Sequence, residues 1–134
     1  MRILLLEDNP DDADLLAIAL AGSGLAFDLH RATGEGEFAA ALEAFAPDIV
    51  VSDANIPGFP YRKALALARE TRPQLAFVVV SGIDERDLPA RDLPHGADAW
   101  VCKDRMERVA PVLRELAGTA RAMPRAPDVR EREA

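Results

Sequence analysis

One cysteine, Cys102, is all the chain has, so no disulfide can form within it and a reducing compartment is the natural expectation. No basic cluster offsets the net charge of -7, which argues against nucleic acid or an anionic membrane surface as the main partner. No apolar run is long enough to cross a bilayer. The N-terminal one, Met1-Arg2-Ile3-Leu4-Leu5-Leu6, turns acidic at Glu7 and is too short for a secretion signal. A cytoplasmic location without membrane insertion and without direct DNA binding is therefore expected. Gly34 and Gly36 belong to neither a GxGxxG motif nor a P-loop, so they mark no nucleotide site. Lysine is scarce: Lys63 and Lys103 are the only two among 16 basic residues. A lysine kept at the end of an apolar run, in a chain that otherwise uses arginine, invites a chemical reason.

What the chain does have is four short apolar runs, each ending in a polar side chain. Residues 3–6 lead into Glu7-Asp8, 49–52 into Asp53, 77–80 into Ser81 and 99–102 into Lys103. Apolar without alternation, they read as strands buried on both faces. Residues 26–31 instead alternate, Phe27 and Leu29 against Asp28 and His30, as an edge strand with one wet face does. Helical patterns lie between. Pro10 suits the first turn of one, and Asp11, Asp12 and Asp14 read as charges complementing its N-terminus rather than as metal ligands. Its apolar stripe is Leu15, Leu16, Ala19 and Leu20, and Gly22 and Gly24 end it. A turn over 34–36 precedes a helix carrying Phe38, Leu42 and Phe45, stopped by Pro47. Residues 53–60 have the chemistry of a loop. Ala64, Leu65, Leu67 and Ala68 mark a third helix, and Met106, Val109, Val112, Leu113 and Leu116 a last one. In 82–96, Pro89 and Pro94 remove donors and clash with preceding carbonyls, so at most a short or distorted turn is expected. His30 and His95 read as surface residues and Cys102 as a small buried hydrophobe. The folded domain is expected over 1–118, with 119–134 a frayed helix end and a flexible tail or truncated linker.

Strand and helix alternate five times. That pattern selects an α/β domain of one doubly wound, five-stranded parallel sheet with helices on both faces and an irregular or shortened fourth helix. Ligands in such sheets bind outside the carboxyl ends of the strands, where strand order reverses. Glu7, Asp8, Asp53, Ser81 and Lys103 occupy those ends.

Three carboxylates in one cleft repel one another and resist burial. A hard divalent cation offsets this, and Mg²⁺ suits it best, because it takes one or two carboxylates and keeps positions for water and phosphoryl oxygen. Asp53 would then be a carboxylate nucleophile toward phosphorus. Lys103 would pair with the transferred group as a point charge, and Ser81 would donate a hydroxyl hydrogen bond to it.

These residues resemble a known family. Glu7-Asp8, Asp53-Ala54-Asn55-Ile56-Pro57-Gly58, Ser81-Gly82 and Gly96-Ala97-Asp98-Ala99-Trp100-Val101-Cys102-Lys103 follow in order, at the spacing of receiver domains of two-component response regulators. The resemblance runs from Arg2 to about Ala117. It implies a flavodoxin-like strand order, 2-1-3-4-5. It implies phosphorylation of Asp53 by a sensor histidine kinase or phosphotransfer protein, and a downstream protein partner. It implies Asp8 as a direct Mg²⁺ ligand beside Asp53, the backbone carbonyl of Asn55 as another ligand, and Glu7 holding a metal-bound water. Ser81 matches the hydroxyl that moves toward the phosphoryl group, Trp100 the aromatic switch position and Lys103 the phosphate-pairing lysine. The chain departs from the pattern where Asp104, rather than proline, follows Lys103. Lys-Asp there is similar to receivers that precede sensor modules in hybrid kinases.

The expected function is thus a phosphorylation-dependent signalling switch, not an enzyme with a turnover substrate. Two alternatives stand beside it. One is a protein-interaction module that keeps the fold without switching, suggested by the proline-broken segment, Trp100 and Asp104. The other is an Asp-nucleophile, Mg²⁺-dependent phosphatase resembling haloacid dehalogenases. That chemistry places a second acid two residues after the nucleophile, where this chain has Asn55.

Overall fold

The computed structural model describes residues 1–122, with side chains described through 118. The apolar runs form the centre of one parallel sheet. Its strands are β1 (Arg2–Leu6), β2 (Asp28–Ala32), β3 (Ile49–Asp53), β4 (Ala76–Ser81) and β5 (Ala99–Cys102), in spatial order β2-β1-β3-β4-β5. The order reverses between β1 and β3, so the two carboxylate-bearing strand ends flank the crevice that a doubly wound sheet leaves open. The register keeps the carboxyl ends level: Leu6 lies beside Ser52, Asp53 beside Val80, and Ser81 beside Cys102.

Side chains leave a strand alternately to either face. Leu4, Leu6, Val50, Phe77 and Val79 therefore pack on one side with Phe38 and Leu42 of α2 (Glu35–Ala44) and Ala64 and Ala68 of α3 (Tyr61–Thr71). Ile3, Leu5, Val51, Val78 and Val101 pack on the other with Leu16 and Leu20 of α1 (Pro10–Gly22) and Val109 and Leu113 of α4 (Val109–Ala122). The edge strand β2 starts at Asp28, two residues later than its alternation suggests. Pairing with β1, Arg2 beside Asp28, decides its bounds. Helix α4 continues past Thr119 to Ala122, and the remainder of the expected tail, 123–134, lies outside the described residues.

Other details differ from the sequence-based expectation. Leu15 is 55 % exposed and Ile18 68 %, because the buried stripe of α1 is Ala13, Leu16 and Leu20, and Leu15 lies about 100° round the helix from Leu16. Gly36 belongs to α2 rather than to a turn. Glu37 accepts hydrogen bonds from Thr33 N at 2.7 Å and Thr33 Oγ1 at 2.6 Å, closing the entry to that helix. The loop after β3 contains a small hairpin, Asn55–Ile56 against Phe59–Pro60, turned at Gly58 with φ +74°. It sinks Ile56 and Phe59 into the core.

The fourth crossover has no α-helix. Two single 3₁₀ turns, Glu85–Asp87 and Ala90–Asp92, stand in its place. Pro89 and Pro94 cannot supply the main-chain donors an α-helix would need there. After β5 the chain runs through another 3₁₀ stretch, Lys103–Arg108, broken at Arg105, before α4 begins.

Candidate functional site

Glu7 is the first residue beyond β1, and its backbone is held at both ends. Its N–H donates to Ala32 O at 3.0 Å, and its carbonyl accepts from Arg31 Nε at 2.9 Å. The side chain is thereby turned inward, and the residue is only 4 % exposed. Asp8, next in line, is exposed. Asn9 ends the short loop by capping α1: its Oδ1 accepts from Asp11 N at 2.8 Å and Asp12 N at 3.2 Å. Asp53 closes β3 next door. Glu7, Asp8 and Asp53 each offer a carboxylate oxygen within 4.8 Å of the others.

Lys103 reaches this group from the end of β5. Its Nζ lies 2.7 Å from Asp12 Oδ2, 3.1 Å from Glu7 Oε1 and 3.4 Å from Asp53 Oδ1. Burial opposes the lysine's charge. Hydrogen bonds to Asp12 and Glu7, with the charge of Asp53, outweigh that and hold its pKa above the ordinary value. Glu7 goes the same way for a different reason. Burial raises its pKa and the charge of Asp53 raises it further, more than the Lys103 and Asn9 hydrogen bonds lower it. One ammonium thus faces more carboxylates than it can neutralise. Clustered hard oxygens with excess negative charge are the donor set that a divalent cation such as Mg²⁺ accepts.

The other residues singled out from sequence take up different positions. Ser81 is buried at the end of β4, and its Oγ accepts from Ile83 N at 3.0 Å. Asn55 sits two residues past Asp53, exposed in the hairpin. Trp100 lies in the core, 8 % exposed, edge-on to Tyr61 at 5.4 Å. Its indole N–H donates to Ile83 O at 2.8 Å. Ile83 is therefore gripped twice, by Ser81 through its N–H and by Trp100 through its carbonyl. Cys102 is half-buried rather than buried, with Sγ 3.9 Å from Gly82 O.

Two residues make contacts that their local sequence does not predict. Asp12 looked like a helix-start charge but makes the shortest of the lysine's contacts. The available signal, an acid one helical turn beyond Asp8, is the pattern ordinary helix-start charges give. His95 is no surface residue: its side chain is 10 % exposed and lies 2.6 Å from Glu85 Oε2. Its ring tilts against Trp100 at 5.2 Å. Nothing local in the sequence marks that contact.

No family model matches the sequence, and no curated protein does. Solved structures do match in fold. The receiver domain of a signal transduction histidine kinase from Syntrophus aciditrophicus is 20% identical, with 96% of this chain and 98% of that one covered at a TM-score of 0.76. A response regulator receiver domain protein from Clostridium thermocellum is 16% identical, covering 90% and 97% at 0.76. The response regulator TrrA from Thermotoga maritima, solved in complex with Mg²⁺-BeF, is 20% identical, covering 86% and 97% at 0.68. With the strand order, the acidic cluster and these likenesses together, the chain has the fold of a response regulator receiver domain.

Proposed function

We propose that the protein is a phosphorylation-dependent signalling switch whose acceptor is Asp53. The observation that carries this reading is the meeting of Glu7, Asp8, Asp53 and Lys103 at the carboxyl ends of β1, β3 and β5. A carboxylate oxygen of Asp53 attacks phosphorus of a phosphohistidine on a sensor histidine kinase or phosphotransfer protein. The new O–P bond forms as the N–P bond breaks, and the imidazole nitrogen keeps the electron pair and takes a proton. No oxidation is involved. Asp8, Asp53 and the carbonyl of Asn55, with Glu7 acting through a water, would hold Mg²⁺, which would supply charge neutralisation at the phosphoryl oxygens. Lys103 contributes a fixed positive charge beside Asp53. Ser81 accepts from Ile83 N through a lone pair, which leaves its hydroxyl proton to give to the product, and Trp100, tied to the same Ile83, registers any shift of that segment. The Mg²⁺-BeF complex of the structurally similar TrrA supports the choice of ligand.

Beryllofluoride with Mg²⁺ should bind the chain and change the fluorescence of Trp100, and acetyl phosphate should add one phosphoryl group. Asp53→Asn should abolish both. A chain left unlabelled by a small phosphodonor in the presence of Mg²⁺ sinks the proposal.

The absence of an α-helix between β4 and β5 favours a second reading, an interaction module that does not switch. It predicts that phosphorylation leaves partner affinity unchanged. A phosphorylation-dependent change of about tenfold, roughly 1.4 kcal/mol of coupling, counts against it. Hydrolytic turnover is the weaker alternative, since Asn55 offers no general acid beside the nucleophile.

A further inference from the structure

We infer that Asp12 is a positioning residue for Lys103, which competes with a phosphoryl group on Asp53 for the lysine's ammonium. The inference rests on the reading of Asp53 as phosphoacceptor and adds a residue to that site.

The helix does not need the Asp12 carboxylate. Pro10 has no N–H, and Asn9 Oδ1 already takes the N–H groups of Asp11 and Asp12. The side chain instead reaches across 91 residues of sequence to Lys103. The ammonium has three N–H donors. It faces Asp12 at 2.7 Å, Glu7 at 3.1 Å and Asp53 at 3.4 Å, so its shortest contact is to α1 and its longest is to the proposed acceptor. The lysine is thereby drawn toward α1 in the unphosphorylated protein.

A phosphoryl group on Asp53 brings strong acceptor oxygens and added negative charge. It must share an ammonium that already gives hydrogen bonds to Asp12 and Glu7, two of its three donors. Asp12 opposes it in two ways: it holds the donor closest, and its own charge faces the same crevice. The Lys103 side chain is only 20% exposed, so water does not screen this competition as it would at the open surface. Asp12 thus sets how firmly the site retains a phosphoryl group without touching the reacting atoms.

Two measurements on the full chain test this, with Asp12→Asn, Asp12→Glu and wild type, each checked for folding by circular dichroism. The first needs no metal. Lys63 and Lys103 are the only lysines, and Lys63 is exposed beside Glu35, so it serves as internal reference for competitive acetylation by acetic anhydride. The Lys103-to-Lys63 ratio should rise about fivefold in Asp12→Asn, the scale of losing one partly screened ion pair, and return toward wild type in Asp12→Glu. The second is the affinity for beryllofluoride with Mg²⁺ by calorimetry. It should tighten about fivefold in Asp12→Asn and stay near wild type in Asp12→Glu. An unmoved acetylation ratio, or beryllofluoride binding that is unchanged or weaker in Asp12→Asn, overturns the inference. If the wild type itself binds no beryllofluoride, the receiver reading fails and this one fails with it. Wild-type binding with an unmoved Asp12→Asn sinks the role of Asp12 alone.

Discussion

Glu7 keeps a carboxylate where burial disfavours its charge and Asp53 disfavours it again. The raised pKa makes a signed prediction. Folded Glu7 holds its proton to higher pH than unfolded Glu7, so between the ordinary value of 4.5 and its raised value the folded state binds more protons. The stability contributed by this residue is therefore present at low pH and lost as pH rises through that window. Glu7→Gln, neutral at every pH, gives the reference. In denaturant titrations without divalent ions, wild type minus Glu7→Gln should fall as pH rises above 4.5 and then level off. A difference that grows with pH would show that the Lys103 contact at 3.1 Å outweighs burial.

At the scale of elements, the segment between β4 and β5 lacks the regular hydrogen bonding of the other three crossovers. Side chains hold it instead. Trp100 and Ser81 grip Ile83, His95 ties to Glu85, and Ala97 N donates to His95 Nδ1 at 3.2 Å. Gly96 is where the backbone turns back toward β5, with φ +80°, and a Cβ there would lie 3.2 Å from Leu65 Cδ2 on α3. Gly96→Ala should therefore cost about 1–2 kcal/mol through the left-handed backbone, and more if Leu65 cannot give way. Urea unfolding measures this, and an unchanged midpoint would mean that the turn relaxes freely. Gly36, inside α2 with open space around it, is the control.

For the whole molecule, a cation held in the acidic crevice would couple folding to its binding. Ligand that binds only the folded chain stabilises it by RT ln(1 + [L]/Kd), about 2.7 kcal/mol at a hundredfold excess over Kd. Mg²⁺ should accordingly raise the melting temperature in proportion to the logarithm of its concentration. Asp53→Asn, which removes one charge from the cluster, should blunt the rise. An equal rise in both proteins would place the ion elsewhere. Among the described residues no helix is long and apolar enough to cross a membrane.

The sequence alone determined the sheet and most of the crevice. Unbroken apolar runs are local signals, and the polar residue that ends each one falls at a strand end in any parallel arrangement. Glu7, Asp8, Asp53, Ser81 and Lys103 are therefore placed at strand ends by local signals, and the prolines mark the irregular fourth crossover. Tertiary structure decided what depends on which distant side chain arrives. Leu15 and Leu16 are equally apolar, and only the angle at which α1 sits on the sheet buries one and exposes the other. Trp100 packs between His95 and Tyr61. Asp12 carries the same charge as its neighbours Asp11 and Asp14, and only the end of β5, 91 residues away, gives it Lys103 to hold.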